Sequence, residues 1–190
     1  MLSNSDKEVY LFCDEFTNYN DAAIGIKAIE LLHTLGYEVI IPFHLESGRT
    51  WLSKGLVRKA KKIANQNIEL LSSLISASTP LIGLEPSAIL TFRDEYPDLA
   101  TDENVAAAQH LAKHSFFIDE FLASEMQAGN ITKDQFTDQA KSILLHGHCQ
   151  QKAVSSLSDT VKVLSFPTNF KVDTIASGCC GMAGSFGYEK

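Results

Sequence analysis

The sequence predicts an α/β fold organised around a parallel sheet. Three observations carry that expectation. Short runs of β-formers recur along the chain, and helix-length apolar stripes with recognisable starts and stops separate them. A unit of strand, cysteine, helix, strand and glycine-bearing turn occurs twice. Strands joined through helices of this length imply crossover units, and such crossovers return to the same sheet in parallel.

Val9-Tyr-Leu-Phe-Cys13 is a run of β-formers bounded by polar residues and suits a buried strand. Asn20 or Asp21 can cap the next helix, whose stripe is Ile24, Ala28, Leu31, Leu32 and Leu35, closed by Gly36. Residues 37–41 form a second strand, stopped by Pro42. A long helix is expected over residues 51–75, with Leu52, Leu56, Ala60, Ile63, Leu70, Leu71 and Leu74 on one face. Residues 80–84 read as a third strand and residues 87–96 as a short helix ended by Pro97. Residues 102–127 read as one further helix, with Ala106, Leu111 and Phe117 at apolar positions. Gly129-Asn130 breaks it, and Thr132 caps a short helix. A strand over residues 142–146 leads to Cys149 and a helix. A strand over residues 170–176 leads to Gly178-Cys179-Cys180-Gly181.

The recurrence sets the expected organisation. Cys13 precedes the Glu46-Ser47-Gly48 turn by 33 to 35 positions, and Cys149 precedes Cys179-Cys180-Gly181 by 30 to 32. Residues 1–100 are therefore expected to form a first unit, 101–140 a helical connector, and 141–190 a second unit. The second unit stops at Lys190, where its corresponding helix should begin, and so reads as truncated.

Composition narrows the function classes. The 190 residues carry 23 acidic against 16 basic side chains, a formal net charge of -7, which disfavours a surface that tracks nucleic-acid phosphates. The basic cluster Arg58, Lys59, Lys61 and Lys62 is the solvated face of a predicted helix. No stretch approaches the roughly 18–20 apolar residues of a membrane span, and the polar start lacks a signal-peptide core. The chain reads as cytoplasmic, with a peripheral place at the inner face of the membrane left open.

Four cysteines, Cys13, Cys149, Cys179 and Cys180, carry the chemistry. Neighbours in sequence rarely bridge, and sparse clustered thiols in a reducing compartment point to metal or redox chemistry. Functional groups of parallel α/β sheets gather at the carboxyl ends of strands, where all four fall. Thiolates there suit an iron–sulfur cluster or, with histidine, zinc.

Gly178-Cys-Cys-Gly181, preceded by His146-Gly-His-Cys149, resembles the cysteine-rich CCG domain of heterodisulfide reductase B and glycolate oxidase iron–sulfur subunits. The longer strings His146-Gly-His-Cys-Gln-Gln-Lys-Ala153 and 177–189 are similar to the large fused FAD-linked oxidases of the D-lactate dehydrogenase or glycolate oxidase type. So are Gly48-Arg-Thr-Trp-Leu-Ser-Lys-Gly55 and residues 84–90. The resemblance implies a Rossmann-like arrangement of two CCG-type units. It implies Cys149, Cys179 and Cys180 as ligands of a 4Fe-4S cluster, with Cys13 and His148 as further metal-ligand candidates. Glu46-Ser47 and Ala88 stand where the first unit would carry cysteines, so that unit looks degenerate, and the second unit's remaining cysteines would lie beyond Lys190. The implied role is electron transfer from an FAD bound by another domain to an acceptor, with flavin and ferredoxin-like modules as partners. A zinc-stabilised docking domain without its own redox centre is the alternative, and a thiol switch joining Cys149 to Cys179 or Cys180 is a third.

Other groups have simpler readings. His146 and His148 could ligate metal or be satisfied by backbone. Asp14-Glu15 could form an acid/base pair, though helix N-terminal charge or solvation is the simpler account. Glu85 reads as a helix cap and Arg93-Asp94-Glu95 as a surface patch. The glycines of residues 181–187 superficially match a phosphate loop but lack its Lys-Ser/Thr ending.

Overall fold

The computed structural model describes residues 7–181. The chain divides into two compact units, one ending at Phe117 and one spanning Ile118–Gly181. The fold is α/β, as the alternation of strands and helices predicts.

In the first unit, β1 (Glu8–Phe12) leads into α1 (Glu15–Tyr19) and α2 (Ala22–Thr34), then β2 (Glu38–Ile40). Next come α3 (Arg49–Ser53), α4 (Val57–Leu71) and β3 (Leu81–Gly83). Then α5 (Pro86–Ile89), a 3-10 turn at Leu90–Phe92, α6 (Glu95–Leu99), α7 (Val105–His114) and β4 (Ser115–Phe117) complete it. The four strands are parallel in the order β2-β1-β3-β4, with Val9 opposite Val39, Leu11 opposite Ile82, and Ile82 opposite Phe116. A strand buried on both faces should be apolar at successive positions. Leu11 and Phe12, and Leu81 and Ile82, are at most 1% exposed. They meet Leu32, Ile68, Leu71, Ile89, Leu90 and Phe92 in one core. Burying each such side chain contributes about 1.5–3 kcal/mol before the entropy of ordering it.

Several expected elements differ in detail. The helix expected over 51–75 is two helices, because Gly55 takes a left-handed φ of 72° between them. Leu56 and Leu74 are accordingly exposed rather than on the buried face. The helix expected over 102–127 is α7, the three-residue β4 and a helix of the second unit. Ser115, buried, donates its hydroxyl to the Leu111 carbonyl where α7 ends. Pro97 sits inside α6 rather than ending a helix, since N–H groups of a first turn have no helical partner to lose. Asp21 stands at the start of α2 without a side-chain cap bond.

The second unit begins with α8 (Ile118–Gln127) and a 3-10 turn at Lys133–Gln135, where Thr132 forms a capping box with Gln135. Then follow β5 (Lys141–Leu145), α9 (Cys149–Val154), α10 (Ser158–Leu164) and β6 (Phe170–Thr174). Here β5 and β6 pair in parallel, Ile143 opposite Val172, and α10 packs on α8 and β6. Among the described residues this sheet has two strands, and Leu144 on β5 is 74% exposed. No helix of the described residues is long and apolar enough to cross a membrane.

Candidate functional site

Each unit presents a cluster of polar and sulfur groups just beyond its strand ends. In the first unit β1 ends at Phe12, placing Cys13, Asp14 and Glu15 in the turn that follows. Asp14, 1% exposed, caps α1: its carboxylate accepts from the Phe16 and Thr17 N–H groups at 2.9 Å each and from the Thr17 hydroxyl at 2.7 Å. Glu15 reaches across to the turn after β2. Its carboxylate accepts from the Ser47 N–H at 2.8 Å and the Ser47 hydroxyl at 2.7 Å. Burial pushes the Glu15 carboxyl above its ordinary value, and these two bonds pull it back only in part.

The same turn is held from below by a buried amide. Asn67 accepts from the Leu45 N–H at 2.8 Å and donates to the Glu46 carbonyl and the Tyr96 hydroxyl at 2.9 Å. Tyr96 in turn donates to the Ser47 carbonyl at 3.0 Å. The Trp51 indole donates to Glu46 at 2.6 Å, while Lys59 lies 3.2 Å from the centre of the Trp51 ring. His44 accepts from the Cys13 N–H through Nε2 at 3.2 Å. Its Nδ1 meets the Leu45 carbonyl at 2.7 Å, so Nδ1 carries the proton and donates. Burial lowers the His44 value, favouring that neutral ring.

Cys13 therefore lies among hydrogen bonds that oxygen and nitrogen already satisfy. Burial, then the neighbouring Asp14, push its thiol up, away from the thiolate that ligation or nucleophilic attack requires. Ala88, at the third position the family resemblance singles out, is fully buried apolar packing in α5. Glu85 caps that helix as expected, accepting from the Ala88 N–H at 2.6 Å and the Ser87 hydroxyl at 2.7 Å. Glu95 departs from the surface-patch expectation. It pairs with Arg49, about a quarter of its side chain being exposed, and α6 itself packs on α4 and α7.

In the second unit β5 ends at Leu145, and His146-Gly147-His148 carries the chain to Cys149, the first residue of α9. His148 caps that helix, its Nδ1 accepting from the Gln150 N–H at 3.2 Å, so this nitrogen is engaged by backbone. Gly147 fits under Leu157, where a Cβ would stand 2.3 Å from a methyl carbon. Gln151, buried, ties α9 to α10 by donating to the Thr160 hydroxyl at 2.7 Å.

Beyond β6 the chain runs without regular structure to the vicinal cysteines. Cys149 and Cys179, drawn from stretches 30 residues apart, come close enough for the Cys179 sulfur to act on the Cys149 thiol. Cys180 is close enough to act on Cys149 through its charge. Burial first, then the Cys179 sulfur, push the Cys149 thiol up. The Gly181 N–H, at a residue with a φ of 87°, donates to the Cys179 sulfur at 3.3 Å. Lys152 donates to the Ser177 and Gly178 carbonyls at 2.9 and 3.1 Å.

These sulfurs fit a soft metal or cluster in kind, since thiolates are its usual ligands and an N–H donor already faces one of them. In arrangement the fit is partial. Among the described residues no three His, Cys, Asp or Glu side chains stand where they could hold a metal ion. Three roles lay beyond the sequence reading: the Glu15–Ser47 clamp, the Asn67 hub and the Lys152 contact. Each joins residues at least 20 positions apart, so no local pattern marks it. The glycines of residues 184–187 lie outside the described residues.

The chain has relatives among redox enzymes. It is 27% identical over 185 residues to the D-2-hydroxyglutarate dehydrogenase of Escherichia coli, covering 96% of this chain and 17% of that protein. It is 23% identical over 185 residues to a subunit of the anaerobic glycerol-3-phosphate dehydrogenase of the same organism, covering 96% of this chain and 45% of that protein. It is 26% identical over 171 residues to lactate utilization protein A of an Exiguobacterium, covering 86% of this chain and 66% of that protein. The chain thus spans under a fifth of the D-2-hydroxyglutarate dehydrogenase it matches and is related to a portion of oxidoreductases. No family model and no solved structure matches it.

Proposed function

We propose that this chain is the cysteine-bearing electron-transfer portion of a larger FAD-linked 2-hydroxy-acid dehydrogenase, with Cys149, Cys179 and Cys180 as ligands of a 4Fe-4S cluster. The observation that carries this reading is the meeting of Cys149 and Cys179 beside one strand end, with Cys180 next to them. Two of the chain's four cysteines thus approach each other across 30 residues of sequence. The names of the relatives support the dehydrogenase context, and two of them point to 2-hydroxy acids. Flavin and ferredoxin-like modules elsewhere in the parent would be its partners.

An iron–sulfur cluster supplies one-electron storage at a potential set by its surroundings. This chain's own residues do the rest. The turn after β6 delivers Cys179 and Cys180, α9 delivers Cys149, and the Gly181 N–H polarises the Cys179 sulfur. Ligation needs thiolates, so metal binding must release protons from thiols, one of which the protein holds above its usual value. A further donor must come from outside these three sulfurs. The second reading, a zinc-stabilised docking domain without a redox centre, draws on the hydrogen-bonded strand ends of the first unit and on the partial ligand set.

Anaerobic reconstitution with iron and sulfide, followed by metal analysis and a visible spectrum, tests the proposal. A brown protein with labile sulfide, colour lost in Cys149→Ser and Cys179→Ser but kept in Cys13→Ser, is the expected result. Colourless protein with stoichiometric zinc supports the docking role instead. Protein that takes up neither leaves the ligand assignment without basis.

A further inference from the structure

We infer that Lys152 is the positioning residue of the second unit's thiol cluster, an inference that rests on reading Cys149, Cys179 and Cys180 as ligands. Lys152 lies three residues after Cys149 on α9, so both side chains leave the same face of the helix. Its ammonium donates to two successive carbonyls, Ser177 at 2.9 Å and Gly178 at 3.1 Å, immediately before Cys179. The segment it grips has no regular structure, and the last ladder bond before it is the Ile175 N–H to the Leu145 carbonyl at 2.9 Å. One side chain thus ties the helix carrying one sulfur to the backbone carrying the other two. A single surface contact of a lysine with one carbonyl would be an ordinary solvated arrangement. Two contacts on consecutive carbonyls instead fix the direction in which the chain enters the cysteine pair. Arginine, with the same charge and several donors, can replace it. Methionine keeps the apolar stem and lacks the donor.

The test measures sulfur proximity without any metal. Diamide takes up the two protons and two electrons released when two thiols join, and the Cys149–Cys179 bridge is followed by alkylation and peptide mass mapping. Lys152→Met should form this bridge about tenfold more slowly than the parent chain, with Lys152→Arg restoring the rate and the thermal midpoint unchanged in both. Equal bridging rates in Lys152→Met and the parent chain overturn the inference. Should Lys152→Met fail to fold, Lys152→Gln, whose amide is too short to grip both carbonyls, must show the same slowing. Titration with Co2+ then tests the ligand reading separately. Thiolate-to-cobalt absorption in the parent chain, weakened about 10–100-fold in affinity by Lys152→Met, supports both. A parent chain that bridges in a Lys152-dependent way but gives no such absorption overturns the metal reading alone.

Discussion

The two strand-end clusters occupy equivalent places in their units and are built of opposite chemistry. Beyond β1 and β2 the first unit places Glu15, Ser47, Asn67, Tyr96 and His44, and nearly every polar atom there has an oxygen or nitrogen partner. Beyond β5 and β6 the second unit places sulfur, with a lysine on the carbonyls just before the cysteine pair and one glycine N–H on a sulfur. The difference teaches what each chemistry can do at a strand end. Where oxygen and nitrogen groups meet, their hydrogen bonds tie the strand ends together, and the cluster stabilises rather than reacts. Where thiols stand, their weak hydrogen bonding leaves the groups available to a better partner.

Mutations sharpen that contrast in decreasing order of effect. Phe12 is fully buried, tilted against His44 at 4.3 Å and edge-to-face with Phe92 at 4.9 Å between ring centres. Phe12→Ala should cost about 3–5 kcal/mol in urea unfolding followed by the fluorescence of Trp51, the chain's one tryptophan. A loss below 1 kcal/mol there, on the order of an exposed surface change, would mean that Phe12 is not the buried support of the first cluster. Glu15→Ala strands the buried N–H and hydroxyl of Ser47 and should cost about 2 kcal/mol by the same measurement, with the Trp51 emission shifting because Glu46 holds its indole.

A subtler test uses pH. Burial raises the Glu85 carboxyl, so the folded chain favours its protonated form. That contribution to stability is complete below the ordinary carboxylate value and is lost as pH rises through the higher folded value. Glu85→Gln keeps an acceptor for the Ser87 and Ala88 bonds without a charge. Its stability should vary less with pH across that window and exceed the parent's at neutral pH by about 1 kcal/mol or less. Smallest of all is Leu144→Ser on exposed β5, which should change stability by under about 0.5 kcal/mol. A larger loss would show that the second sheet is buried against something its own described residues do not supply.

Much of the fold was legible in the sequence. The strands at β1, β2, β3, β5 and β6 each stand within a residue or two of expectation, because short β-former runs bounded by glycine, proline and polar residues have few other uses. β4 was not, since three residues set between two helices interrupt no apolar period long enough to notice. α1 escaped for the same reason, being five residues whose start depends on the Asp14 cap. At the site, residue type and topology brought Cys149 and Cys179 to neighbouring strand ends. They could not reveal that His148 spends one nitrogen on a helix cap, nor that Glu15 clamps Ser47 from 32 positions away. Polar contacts at long range leave no periodicity to read.

The paired strands of the second unit have a practical consequence. Parallel strands usually lie inside a sheet, and here the outer rim of each offers a row of unmatched amide and carbonyl groups among the described residues. Such a rim welcomes any extended segment that drifts past, from a neighbouring molecule as readily as from a natural companion. Concentrated samples should therefore associate through this rim, read as a sedimentation coefficient that rises with concentration.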